Sequence, residues 1–393
     1  MQRPSIELAD LIRDAGPTFI VRSRAWFTWL HLKVLVAILR CRTALLGGHV
    51  DACSRCGHQA ISYNSCRNRH CPRCQTHLRE RWIEARCRDL LPTCYAHVVF
   101  TLPRALAPLA LQNKAAVYGL LMRASADTLL EIAADPKHLG AEIGFFSVLH
   151  TWNQQLQHHP HVHCVVPAGG LAIDHSRWVH ASPRFFLPVK VLSKVFRGKF
   201  VAGLRELYGA RALTLEGMLT PLRNHRTFAE LLRTIHRKDW VVYAKRPFGG
   251  AESVVRYLGR YTHRVAISTH RLLSLEDHCV TFRWRDSRHG NKQRRMTLSV
   301  HEFLRRFLLH VLPIGFVRIR YFGLLAHRRR KELVPLCLEL LAASVPAASP
   351  APATPPNPPM WVCPVCGGPM NVIERLTPRE LRLRAPPKVG CCP

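Results

Sequence analysis

The chain has 393 residues, 48% of them hydrophobic, with 57 Lys and Arg against 25 Asp and Glu and a formal net charge of +32. So much apolar content supports two or three domains with real cores and excludes a disordered polycation. The basic residues run through folded-looking segments, and an excess of this size predicts a polyanionic partner, nucleic acid first.

At the start, Met1 to Gly16 mixes Arg, Glu and Asp, so no secretory signal is expected. The apolar stretch from Trp26 to Leu46 is interrupted by Lys33, Arg40 and Arg42, which argues against a membrane span. No helix pairs a clean apolar face with a basic one, so no membrane partner is expected. The fifteen cysteines then point to metal in a reducing cytoplasm rather than to disulfides.

Residues 1–92 read as a helical segment followed by a zinc-binding module. In "CSRCGHQAISYNSCRNRHCPRC" the pairs Cys53-x-x-Cys56 and Cys71-x-x-Cys74 stand about fifteen residues apart, the spacing of a tetrahedral structural zinc site. Cys66 and His70 lie between them as substitutes for one ligand. A closed four-ligand site leaves no position for catalysis, so the module's Arg67, Arg69 and Arg73 suit phosphate contact.

Residues 93–341 alternate strands and helices. Strands are expected at 96–103 and 143–152, with a long helix running to about 133 between them. The next strand opens on "HHPHVHCVVPAGG" (158–170), and 171–181 continues as a hairpin. Side chains at i and i+2 of a strand share a face, so His161 and His163 are placed to reach one metal ion. Helical stretches follow at about 188–208 and 227–238, a strand at 239–247, then "GGAESVVRYLGRYTHRVAIS" (249–268). The Ala, Glu and Arg of that run favour helix, which puts Tyr257 and Tyr261 one turn apart on one face, among Arg256, Arg260, His263 and Arg264. Strands at 279–286 and 293–299 and a helix at 300–311 complete an α+β pattern.

The Ala/Pro-rich run "AASVPAASPAPATPPNPP" marks a linker over 342–360. Beyond it, 361–393 reads as a C-terminal zinc-knuckle-like tail, with Cys363-x-x-Cys366 and the adjacent Cys391 and Cys392.

The His-hydrophobic-His strand and the Tyr-x-x-x-Tyr helix together resemble the HUH endonuclease superfamily. With the N-terminal cysteine module, "HTWNQQLQHHPHVHCVVPAGGL" and "YLGRYTHRVAIS" resemble the IS91-family transposases, over roughly residues 45 to 330. The resemblance implies an HUH-type antiparallel sheet flanked by helices, and rolling-circle transposition of single-stranded DNA through 5′-phosphotyrosine intermediates. It implies Tyr257 and Tyr261 as nucleophiles, and Mg²⁺ or Mn²⁺ held by His161, His163 and a third ligand. His150, at the end of the preceding strand, is the choice for that ligand, ahead of Gln154 and His159. Arg256, Arg260 and Arg264 join the zinc-module arginines as DNA contacts. The expected partners are single-stranded or hairpin element ends and target DNA, with a homo-oligomer allowed and a cytoplasmic, nucleoid-associated location. A plasmid-type replication initiator or relaxase shares this chemistry. A zinc-dependent nucleic-acid-binding protein without catalysis is the rival from another class.

Overall fold

A computed structural model describes residues 6–74, 90–182, 186–248, 266–286, 289–343 and 362–384, together with Ile83 and Gly259. In chain order its first elements are the helices α1 (Leu8–Arg22) and α2 (Trp29–Arg40) and the strands β1 (Gly48–Cys53) and β2 (Gln59–Tyr63). The middle of the chain supplies β3 (Tyr95–Thr101), α3 (Ala107–Gln112), α4 (Lys114–Ala134), β4 (Gly144–Trp152) and β5 (His158–Pro167). A short ribbon, β6 (Gly169–Leu171) with β7 (Trp178–His180), leads to α5 (Val189–Gly209), α6 (His225–Arg237) and β8 (Val242–Phe248). Then come β9 (Leu272–Glu276), β10 (Cys279–Asp286), β11 (Lys292–Ser299), α7 (Val300–Leu309), β12 (Ile319–Gly323) and α8 (Arg330–Ala343). The last are β13 (Met370–Leu376) and α9 (Pro378–Arg384).

The central sheet has the order β12-β4-β5-β3-β8, and every neighbouring pair is antiparallel. Period-two alternation divides its side chains between two faces. Val98, Phe100, Leu149, Val162, Cys164 and Val166 point into a core closed by α4 and α5 through residues such as Leu121, Leu129, Phe196 and Phe200. The opposite face carries the odd positions of β3 and β5 and the even positions of β4, where the histidines lie. There Tyr95, Phe146, Val148 and Val165 form a small apolar cluster of their own.

A second core joins α1 and α2 to the hairpin β9-β10-β11 and to α7, packing Leu11, Phe19 and Ile38 with Val280, Phe282, Phe303 and Phe307. Packing therefore runs across the expected division at residue 92. It also runs across the expected linker. β13 pairs antiparallel with β1, from Gly48↔Leu376 to Cys53↔Met370, so the small N-terminal sheet has the order β13-β1-β2. Val50, Leu376 and Leu381 bury one another at this junction. The linker residues 344–361 and the pair Cys391–Cys392 lie outside the described residues.

Candidate metal centres and active site

The histidines on β4 and β5 are brought together by register. His150 sits opposite His161, and Val148 opposite His163, so all three rings emerge on the face not covered by α4 and α5. Their nearest ring nitrogens lie within 4.8 Å of one another, close enough for one ion. The ring centroids of His150 and His163 are 4.3 Å apart, and those of His161 and His163 are 4.9 Å apart.

Two of the rings are oriented by further hydrogen bonds. His161 Nδ1 donates to the carbonyl of His159 at 2.7 Å, which leaves its Nε2 lone pair free for a metal. His163 Nδ1 lies 2.8 Å from Nε2 of His97, on the neighbouring strand β3. The Nε2 of His163 is buried and has no hydrogen-bond partner among the described residues. An orphaned buried nitrogen is costly unless something fills its position. Burial lowers His161 from 6.5 to about 4 and takes His163 well below 6.5, so both rings are neutral near pH 7. Three imidazoles facing one point suit a divalent transition ion, and Mn²⁺ better than Mg²⁺.

Tyr257 and Tyr261 lie outside the described residues, as do Arg256, Arg260 and Arg264. The segment that bears them follows β8, and β8 pairs with β3, the strand that carries His97. Of the other expected DNA contacts, Arg67 is exposed, and Arg69 donates to the carbonyl of Phe316 at 2.7 Å. Arg73 faces inward. It pairs with Glu7 at 2.9 Å and donates to the carbonyl of Cys41, tying the cysteine module to α1 and α2.

The cysteines sort themselves differently from their spacing. Cys71 and Cys74 do not share a cluster with Cys53 and Cys56; they meet Cys41 and Cys66. The Sγ of Cys74 lies 3.4 Å from that of Cys41 and 3.5 Å from that of Cys66. The reason is the hairpin between the two knuckles. Cys53 and Cys56 sit at its tip, and the chain runs back along β2 before it reaches Cys66 and Cys71. Five residues of strand span about 17 Å, too far for one ion to be shared. At the hairpin base, Cys41, Cys71 and Cys74 are buried in the second core. Hydrogen bonds from Cys66 and then Cys71 lower the Cys41 thiol to about 7, and its neighbours drive Cys74 lower still while Cys71 is pushed up. Four cysteine thiols gathered at one point can bind a metal ion as thiolates. Tetrahedral zinc–thiolate geometry places sulfurs about 3.8 Å apart, and this quartet fits it.

His97 and Cys41 carried no motif that would single them out: one is an ordinary strand residue, the other an isolated cysteine after α2. A third unforeseen feature is the exposed basic hairpin of β10 and β11, which presents Arg283, Arg285, Lys292, Arg294 and Arg295.

The chain is similar to known transposases. Residues 144–332 match the family model described as "Putative transposase", and residues 11–102 match the "Transposase zinc-binding domain". The chain is 54% identical to "Putative transposase y4qJ" of Sinorhizobium fredii, over 89% of this chain and 87% of that one. It is 29% identical to the "Transposase for insertion sequence element IS801" of Pseudomonas savastanoi pv. phaseolicola, over 91% of this chain and 87% of that one. Among solved structures, a conjugative relaxase TrwC complex with oriT DNA aligns with 42% of this chain and 70% of its own, at 14% identity and a TM-score of 0.23. With the zinc-binding domain, the cysteine quartet and the transposase region in one chain, the protein belongs to the IS91 family of transposases.

Proposed function

We propose that this transposase cuts and joins single-stranded DNA by a rolling-circle route, with Tyr257 and Tyr261 as nucleophiles at a site built on His150, His161 and His163. The observation that carries the reading is the convergence of those three rings with the orphaned Nε2 of His163 among them. The net charge of +32 supports DNA as the partner, and the basic β10–β11 hairpin adds a surface for its backbone.

In this reading a tyrosine phenol gives up its proton to solvent as its oxygen attacks the phosphorus of a DNA phosphodiester. The P–O3′ bond breaks, the 3′ oxygen leaves as a hydroxyl after taking up a proton, and a 5′-phosphotyrosine remains. The phosphodiester bond is exchanged rather than hydrolysed, so rejoining by an incoming 3′-OH needs no nucleotide cofactor. A bound divalent ion would neutralise charge on the scissile phosphate and orient it for in-line attack. His161, whose Nδ1 donates to a carbonyl, keeps its Nε2 unprotonated for that role, and His97 holds the ring of His163. A second tyrosine four residues away in the sequence serves the second cleavage while the first is occupied.

The test is to incubate the protein and Mn²⁺ with labelled single-stranded oligonucleotides from the ends of its element and look for a protein–DNA adduct on a denaturing gel. An adduct is expected from the wild type. None is expected from Tyr257→Phe/Tyr261→Phe or from His161→Ala, both still binding DNA. An adduct from the double Phe protein would place the nucleophile elsewhere.

A further inference from the structure

We propose a second structural zinc site, made of Cys53 and Cys56 from the β1–β2 hairpin and Cys363 and Cys366 from the C-terminal segment. It clasps the end of the described chain onto the N-terminal sheet. The zinc-binding family match ends at residue 102 and so contains only two of these four sulfurs.

The four Sγ atoms lie within 4.8 Å of one another, with Cys53–Cys366 at 3.5 Å and Cys56–Cys363 at 3.6 Å. Four thiolates around zinc, with Zn–S near 2.3 Å, would stand about 3.8 Å apart, so a small outward adjustment closes a tetrahedron.

The two halves are built alike. Each is Cys-x-x-Cys-Gly, in "CSRCG" and "CPVCG". The glycine after the second cysteine has φ +71° at Gly57 and +69° at Gly367, a conformation that favours glycine. In the first knuckle the Gly57 N–H donates to the Cys53 carbonyl at 3.0 Å, and the Cys53 N–H to the His58 carbonyl at 2.9 Å. The second repeats both bonds, Gly367 to Cys363 at 2.9 Å and Cys363 to Gly368 at 2.8 Å. Two matched knuckles facing each other are the two halves of one thiolate cage. Gly368 lets them approach, since a Cβ there would stand 3.1 Å from Cys53 Sγ and 3.3 Å from Cys366 Sγ.

The backbone around the cage is continuous with it. Ser54 N–H donates to the Pro369 carbonyl at 3.1 Å, and the next residue, Met370, begins β13 against Cys53 of β1. Apart from the β13–β1 ladder, the side-chain packing that holds the tail is small. Most of β13 is exposed, and its apolar contribution to the junction is Leu376, with Leu381 of α9. A metal ion supplies the stabilisation that so small a core lacks.

Native mass spectrometry of the full-length, zinc-loaded chain should find two zinc ions. Cys363→Ser/Cys366→Ser should find one, and Cys391→Ser/Cys392→Ser, which removes the other C-terminal cysteines, should retain two. Peptide-resolved alkylation of the wild type adds a readout that needs no variant. Cys56 and Cys366 are exposed, yet they should resist iodoacetamide until a chelator is added. One zinc in the wild type, two in the Cys363→Ser/Cys366→Ser chain, loss of zinc on changing Cys391 and Cys392, or free alkylation of Cys56 and Cys366 in the loaded protein would each overturn the proposal.

Discussion

His97 Nε2 stands 2.8 Å from His163 Nδ1, with the two rings only 10° from parallel. If His163 donates its Nδ1–H to His97, its own Nε2 is left as a lone pair aimed at the proposed metal position. Partners of this kind fix a ligand's tautomer, and removing them costs about 10–100-fold in metal affinity. His97→Ala is therefore expected to weaken Mn²⁺ binding by about that factor while leaving the far-ultraviolet circular dichroism unchanged. His97→Gln, whose amide oxygen can accept the same hydrogen bond, should restore part of the loss. Calorimetric titration with Mn²⁺ reads both; equal affinities in wild type and His97→Ala would remove His97 from the site.

Single tyrosine changes should separate the first cleavage from the whole cycle. Tyr257→Phe and Tyr261→Phe each keep one phenol, so each should still form some covalent adduct with a single-stranded end. Both should fail to complete transposition in a donor–recipient plasmid assay. Full transposition by either variant would mean that one tyrosine suffices for every step.

The two cysteine quartets should differ in what they hold up. Cys41, Cys71 and Cys74 lie inside the core that packs α1 and α2 against α7, whereas the Cys53 quartet stands at a hairpin tip. A structural zinc contributes roughly 10–16 kcal/mol in small zinc domains. Cys71→Ser is expected to cost more than ~3 kcal/mol and to lower the main thermal transition. Cys363→Ser should leave that transition nearly in place. Differential scanning calorimetry compares them, and a Cys71→Ser protein melting with the wild type would contradict this assignment.

A pH dependence follows from His310, which is fully buried, takes a hydrogen bond from Thr151 and gives one to the carbonyl of Leu156. Burial, above all, lowers it from 6.5 to about 3. As pH falls below 6.5 the unfolded chain takes up a proton here and the folded chain does not. The stability associated with the neutral ring is intact above 6.5 and is lost progressively down to about 3. Between pH 7 and pH 5 the loss from this one residue is about 2 kcal/mol. Urea midpoints at those two pH values should therefore lie closer together in His310→Gln than in the wild type, and equal separations would show that His310 titrates normally.

The histidine site was legible because strand periodicity is short-range: His161 and His163 share a face by geometry alone, and His150 ended the strand before them. His97 was not, since nothing in "YAHVVFT" shows that β3 would pair with β5 rather than another strand. The cysteines show the same limit. CxxC spacing identifies a knuckle but not its partner, and here the partner was chosen by a hairpin that carries one knuckle away from the next. Cys41 had no motif at all. β13 was missed for a different reason. Its burial runs almost uniformly exposed from Asn371 to Arg375, so "MNVIERL" lacks the alternation that marks a strand, and it is recruited by the open side of β1.

The pairing of β13 with β1 also orders events during synthesis. Cys53 and Cys366 are 313 residues apart, and β1 has no neighbour on its outer side until the late segment arrives. At translation rates of about 5–20 residues per second, that delay is on the order of tens of seconds. Throughout it, a strand with unpaired amides stands open to any other strand that meets it, including the same strand of a neighbouring nascent chain. Asp51, a buried acidic residue in the middle of β1 that accepts a hydrogen bond from Ser62 Oγ on β2 at 2.6 Å, is the feature that makes such a mispairing less favourable while the rightful partner is still being made.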